Sequence, residues 1–141
     1  MNRRRNAVLL SLSAVLTGCA TSAGTPYEKA AVTPGKAVVY VYRPAALAGS
    51  ALTPKVVCAG YTVALRPGSY HAFSVDPGHV GRTSSYADPG NHEKVDLEVT
   101  PQHDYYIKET IGMGIFIGRV HIASVDQQYG EEETRSCRQL Q

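Results

Sequence analysis

The sequence predicts an all-β protein: a small antiparallel β-sandwich of seven or eight strands, followed by a short C-terminal helix or an extended tail. Three observations carry that expectation. From Ala37 onward, short runs rich in Val, Ile and Tyr are cut by Gly, Pro and Asn. No stretch ahead of the C-terminal tail repeats its apolar residues at the helical period. Seven or eight such runs within about 90 residues match the spacing of a sandwich or a small barrel.

The chain begins with a processing signal. Arg3, Arg4 and Arg5 precede an apolar run from Ala7 to Leu16, and Leu16-Thr17-Gly18-Cys19 then supplies small residues before a cysteine. This is the layout of a bacterial lipoprotein signal, with Cys19 taking the lipid and becoming the mature N-terminus. The apolar run is half the roughly 20 residues a membrane span needs. Ala20, where an Asp would favour retention in the inner membrane, points to the outer membrane, with the domain facing the periplasm. The expected division is a signal peptide over 1–18, a lipidated N-terminus and flexible tether over 19–36, and a β-sandwich over 37–141. The stretch Ala20 to Lys36 is small, polar and broken by Pro26 and Pro34-Gly35. As a flexible coil it would reach roughly 22 Å.

Of the 14 basic and 12 acidic residues, three of the basic ones are Arg3, Arg4 and Arg5, so the mature chain carries 11 against 12 and is near −1. That balance removes the electrostatic support for nucleic-acid binding. With Cys19 spent on lipid, Cys58 and Cys137 remain as an even pair in an oxidising compartment. A bridge between them would close a loop worth about 4.5 kcal/mol in the chain-entropy account. The alternative is two buried thiols packing as small apolar groups.

Ala37 to Arg43 is apolar or aromatic on both faces and is expected to be a central strand. Lys55-Val56-Val57-Cys58 and Tyr61-Thr62-Val63-Ala64-Leu65 flank Ala59-Gly60 as a hairpin. Pro67-Gly68 turns the chain into a strand from Ser69 to Val75, and Pro77-Gly78 turns it again. Lys94 to Val99 alternates strictly, so one face meets the core and the other meets water. Asp104 to Glu109 and Ile115 to Ala123 complete the set. The tail from Asp126 to Cys137 carries Glu131, Glu132 and Glu133 ahead of Arg135 and Arg138, an order that suits a helix dipole. Ser124 is the expected cap, and Gly130 argues for the extended alternative.

Val39-Tyr40-Val41-Tyr42-Arg43-Pro44, Gly60, Gly68-Ser69-Tyr70, Asp76-Pro77-Gly78-His79 and Tyr105-Tyr106-Ile107 together resemble the Gram-negative envelope lipoprotein family catalogued as domain of unknown function 2846. The resemblance covers most of residues 37 to 125. It implies a small β-sandwich on a lipid anchor and brings no established activity or catalytic residues. The chain departs from that pattern at Ala59, where the family often has Asp, and at Pro77-Gly78-His79, which lacks a residue between Gly and His.

No residue set announces a chemistry. His71, His79, His92, His103 and His121 form no recognised ligand pair, and Asp88, His92 and Glu93 are the nearest to a metal cluster. No metal or cofactor is expected. Ser50, Ser69 and Ser74 lack the strand-to-helix elbow of a hydrolase nucleophile and fit turns and strands instead, so no catalytic residue is assigned. Ile111 to Gly118 is glycine-rich but runs into a strand rather than a helix, which favours a bulge over a phosphate loop. Met113, Ile115, Phe116 and Ile117 within it would otherwise line an exposed edge that pairs with another protein. Tyr61, Tyr70 and Tyr86 fall near turns where a sugar-stacking platform is conceivable, though tyrosines are also ordinary strand formers. The leading expectation is a non-enzymatic, lipid-anchored envelope protein whose β-domain binds another envelope component. The alternative is a small-ligand or glycan-binding module in the periplasm.

Overall fold

Ala37 to Arg43 forms a strand whose seven residues are all buried. A strand buried on both faces needs a layer of structure on each side, and the remaining elements supply them. A computed structural model describes residues 23–85, 92–112 and 118–140 of the chain; Cys19, Tyr86, Asp88 and the alternative edge residues Met113, Ile115, Phe116 and Ile117 lie outside them. Among the described residues the order is β1 (Thr25–Pro26), β2 (Ala37–Arg43), β3 (Lys55–Cys58), β4 (Tyr61–Ala64), β5 (Ser69–Val75), β6 (Gly78–Ser85), β7 (His92–Val99), β8 (Asp104–Gly112), β9 (Arg119–Val125), α1 (Gln127–Arg135) and β10 (Arg138–Gln139).

The strands form two sheets, β1-β10-β5-β2-β8-β9 and β4-β3-β6-β7. The protein is mostly β, as the sequence predicts, but the larger sheet is mixed. β2 runs antiparallel to β5, from Ala37 opposite Val75 to Arg43 opposite Ser69, and parallel to β8, from Val38 beside Asp104 to Tyr42 beside Lys108. A parallel pair needs a long crossover. Here the crossover contains β5 and the whole second sheet. The last strand, β10, is also parallel to its neighbour β5.

Side chains alternate across β2 and divide the interior in two. Ala37, Val39 and Val41 meet Val56, Cys58, Val80 and Val99 from the second sheet and Leu65 just beyond β4, and Phe73, Val75, Ile107 and Ile122 complete this core. Val38, Tyr40 and Tyr42 point the other way and pack with Tyr70, Tyr106 and Cys137. The Tyr40 and Tyr106 rings stack at 4.8 Å between centroids.

Residues 25 to 36 cover this second face and are not a free tether. Thr25 and Pro26 pair with Gln139 and Arg138. Tyr27 packs on Tyr70 with centroids 5.4 Å apart. The Glu28 and Ala30 N–H groups donate to the hydroxyls of Tyr70 and Tyr40 at 3.1 and 2.9 Å, and Lys29 Nζ lies 3.0 Å from Asp104 Oδ2. The composition of the segment reads as linker, but buried tyrosine hydroxyls require hydrogen-bond partners and its backbone provides them.

The helix forms despite Gly130. Its cap is Asp126, whose Oδ1 accepts the Tyr129 N–H at 2.9 Å, and not Ser124, which is paired within β9 opposite Ile107. Gly130 is buried against β8, where an added Cβ would collide with the Cβ and Cγ of Tyr106. Glu133 anchors the helix by accepting from Tyr42 Oη at 2.6 Å, Lys108 Nζ at 2.7 Å and Tyr129 Oη at 2.8 Å.

The expected Cys58–Cys137 bridge is not formed. Cys58 packs between the two sheets, whereas Cys137 lies in the tyrosine layer, so the larger sheet stands between the thiols. Cys137 Sγ instead makes weak contacts with the carbonyls of Glu133 and Arg43 at 3.6 and 3.7 Å. Burial pushes its pKa up to about 11.

Two predictions follow from the helix packing. Gly130→Ala should destabilise the domain by about 1–3 kcal/mol, because overpacking against Tyr106 outweighs the better helix propensity of Ala, worth about 1 kcal/mol; urea titration measures the difference. Burial disfavours ionised Glu133, but the bonds from Lys108, Tyr42 and Tyr129 outweigh it and hold the carboxyl below the ordinary value of 4.5. A lowered folded-state pKa contributes stability above the unfolded value and loses it as pH falls through the folded one. Stability measured against pH should therefore drop on acidification below 4.5. Glu133→Gln should flatten that drop and cost about 1–3 kcal/mol at neutral pH.

Candidate functional site

A two-sheet sandwich has two lateral seams, and here they differ. On one side β7 and β9 approach each other. Glu93 Oε2 accepts the Ile122 N–H at 2.8 Å, and its Oε1 lies 2.7 Å from His121 Nδ1. A carboxylate of the smaller sheet thus occupies one outward backbone donor of β9, that of Ile122, and bridges that seam. β7 also carries exposed Lys94, Asp96 and Glu98, the charged outward positions that discourage further strand pairing.

The other seam is open. It lies between β4, the opposite edge of the smaller sheet, and β5, β10 and β1 of the larger one. β4 reads Tyr61-Thr62-Val63-Ala64 and carries no charge. The turn that launches it has positive φ at both central residues, 49° at Ala59 and 83° at Gly60, the conformation of a type I′ hairpin. A two-residue turn makes Cys58 and Tyr61 the hydrogen-bonded closing pair, so along β4 the next outward-facing backbone groups belong to Thr62 and Ala64.

Two cavities flank Thr62 and Val63. One of about 660 Å³ is bordered by Ala23, Gly24 and Thr25 on one side and Ala64 and Arg66 on the other. The second, about 420 Å³, adds Tyr61, His71, Phe73 and Ser74. Tyr61 is 66% exposed. The His71 ring packs on Phe73 at 4.6 Å, and its Nδ1 is buried with no hydrogen-bond partner among the described residues. Burial lowers its pKa, with the Leu140 backbone opposing, so the imidazole is neutral at pH 7. The seam therefore offers backbone hydrogen bonding, one exposed aromatic, hydroxyls and the Arg66 cation.

The residues singled out in the sequence do not converge. Tyr70 is fully buried in the tyrosine layer and cannot form a stacking platform with Tyr61. His79 lies near Asp96 and Glu98, His103 contacts Thr100 and Pro101, and His121 contacts Glu93. Among the described residues, no three His, Cys, Asp or Glu side chains gather as metal ligands. Glu93, which the sequence placed in its closest approach to a metal-ligand set, bonds His121 and the Ile122 backbone at the bridged seam. Ser69 Oγ bonds the Arg66 backbone within a turn. Sequence reasoning found the β3–β4 hairpin but missed that β4 ends its sheet. Sheet order is a long-range property, and the alternating pattern of a single strand does not encode it.

Neither the family models nor the curated proteins contain a match to this chain.

The turn beneath β4 generates a prediction. A left-handed φ costs Ala about 1 kcal/mol, and Asn tolerates it better. Ala59→Asn should therefore raise stability by up to about 1 kcal/mol in urea titration while leaving the site unchanged.

Proposed function

We propose that this chain is a lipid-anchored envelope protein, attached to the outer membrane through Cys19 and facing the periplasm, with a non-enzymatic β-domain that binds another envelope component. The resemblance drawn from the sequence supports the same class. The observation that carries the binding reading is the contrast between the seams: Glu93 and exposed charges protect one, while the other presents an uncharged edge strand beside open cavities. An edge of this kind takes an extended peptide as an added strand, with backbone hydrogen bonds supplying affinity and flanking pockets supplying side-chain selection. The partner is accordingly an extended segment of a second envelope protein.

A second reading keeps the same seam and changes the ligand. A cavity of about 420 Å³ beside exposed Tyr61 falls within the range of small-molecule sites, and an exposed aromatic suits a glycan. Photo-crosslinking in intact cells separates the two. A photoreactive residue at Thr62 should give a discrete protein adduct, one at Asp96 should give none, and Thr62→Lys should reduce binding at least fivefold. Adducts to glycan alone would establish the second reading, and equal adducts at both positions would remove β4 from consideration. Fatty-acid labelling that is lost in Cys19→Ala tests the anchor.

A further inference from the structure

Residues 25 to 36 are held against the larger sheet by strand pairing, tyrosine contacts and an ion pair. The chain available between lipidated Cys19 and the first described residue, Ala23, is therefore four peptide steps. At about 3.5 Å per residue it spans at most roughly 14 Å. A domain held this closely cannot tumble freely above its membrane. The part of its surface nearest Ala23 must face the bilayer, and that part is the mouth of the open seam, which Ala23, Gly24 and Thr25 border.

The charge distribution agrees with this orientation. Arg66 lines the mouth, the residues that border it include no carboxylate, and Arg138 reaches the Gly24 carbonyl at 3.5 Å. Exposed Asp96 and Glu98 lie on β7, at the far edge of the smaller sheet from β4. Arg66 and Arg138 thus lie on the side turned toward the anionic headgroups.

We propose that residues 25 to 36 are an orienting strap that turns the β4 seam toward the anchoring bilayer, so that the segment β4 receives is a membrane-proximal stretch of a protein held in the same membrane. This rests on the lipid anchor and the β4 site proposed above. It deepens them by fixing where the partner must be.

The full lipidated protein, its lipid verified by mass, is reconstituted into vesicles of phosphatidylethanolamine and phosphatidylglycerol carrying a nitroxide-headgroup lipid. A fluorophore is placed at Thr62→Cys or at Glu98→Cys; both native downstream thiols are buried, so labelling is confined to the introduced one. The expected result is at least threefold stronger quenching at residue 62 than at residue 98. A flexible insert of about 20 residues after Ser22, with a reach of roughly 25 Å, should bring the two within 1.5-fold. Equal quenching without the insert, stronger quenching at 98, or an insert with no effect would each overturn the orientation, and a mass lacking lipid would remove its basis. Crosslinks from Thr62 decide the partner separately. Adducts within a few residues of a partner's membrane span or lipid anchor support the proposal, whereas adducts to a soluble protein, or none, overturn the partner assignment and leave the quenching result to stand by itself.

Discussion

The double burial of β2 is the constraint on which the rest of the structure depends. A strand with Val39 and Val41 on one face and Val38, Tyr40 and Tyr42 on the other cannot lie at a solvent-facing surface without exposing a contiguous apolar patch. The chain covers the first face with a second sheet. It covers the second with a short helix and an N-terminal strap. A protein described only as a sandwich of two sheets would lack this third layer, and the layer is where its unusual features collect.

Tyrosine explains why the third layer takes the form it does. Val and Ile on the outer face would accept any apolar cover, but Tyr40, Tyr42 and Tyr70 bring hydroxyls into the interior that must be satisfied. The Ala30 and Glu28 backbone serves Tyr40 and Tyr70, and Glu133 serves Tyr42. Two of these bonds recruit the strap and the third recruits the helix, so the hydroxyls specify what covers the sheet as well as stabilising the cover. At the end of β2, Arg43 does the same for the following loop, donating to the carbonyls of Gly49, Leu52 and Leu65. Burial lowers its pKa while the charge of buried Glu109 opposes this. Left without partners such a buried charge would be costly, and the three carbonyls supply them.

What the sequence made legible was local. The two-faced apolar run gave β2 as a central strand, strict alternation gave β7 its half-buried face, and Ala59-Gly60 gave the hairpin. The failures share one cause, which is that their determinants lie far away in the chain. β6 went unassigned because Val80 is the single apolar residue in its sequence; its place between β3 and β7 comes from its neighbours. β1 and β10 are two residues each and exist because they extend β5. Gly130 argued against a helix on propensity, although the helix requires it for close approach to Tyr106. The cysteines counted as a pair, but counting carries no information about which face of a sheet each occupies. The candidate site belongs to the same class: Tyr61 was visible in the sequence, and the open edge beside it was not.

The strap and the seam are mechanically one feature. β1 pairs with β10, β10 pairs with β5, and these strands form the wall that faces β4 across the opening. Anything that lifts the strap therefore removes part of the wall as well as the tyrosine cover. The position of the strap and the shape of the opening are thus coupled through a two-residue strand pair. Under the proposed anchor, Ala23 to Thr25 at the mouth give a short path from Cys19 to the site, so the opening would stay where the anchor holds it. Under the orientation proposed above, the uncharged β4 edge would also be tolerable, because an edge turned toward a bilayer meets fewer stray strands than one facing open solvent.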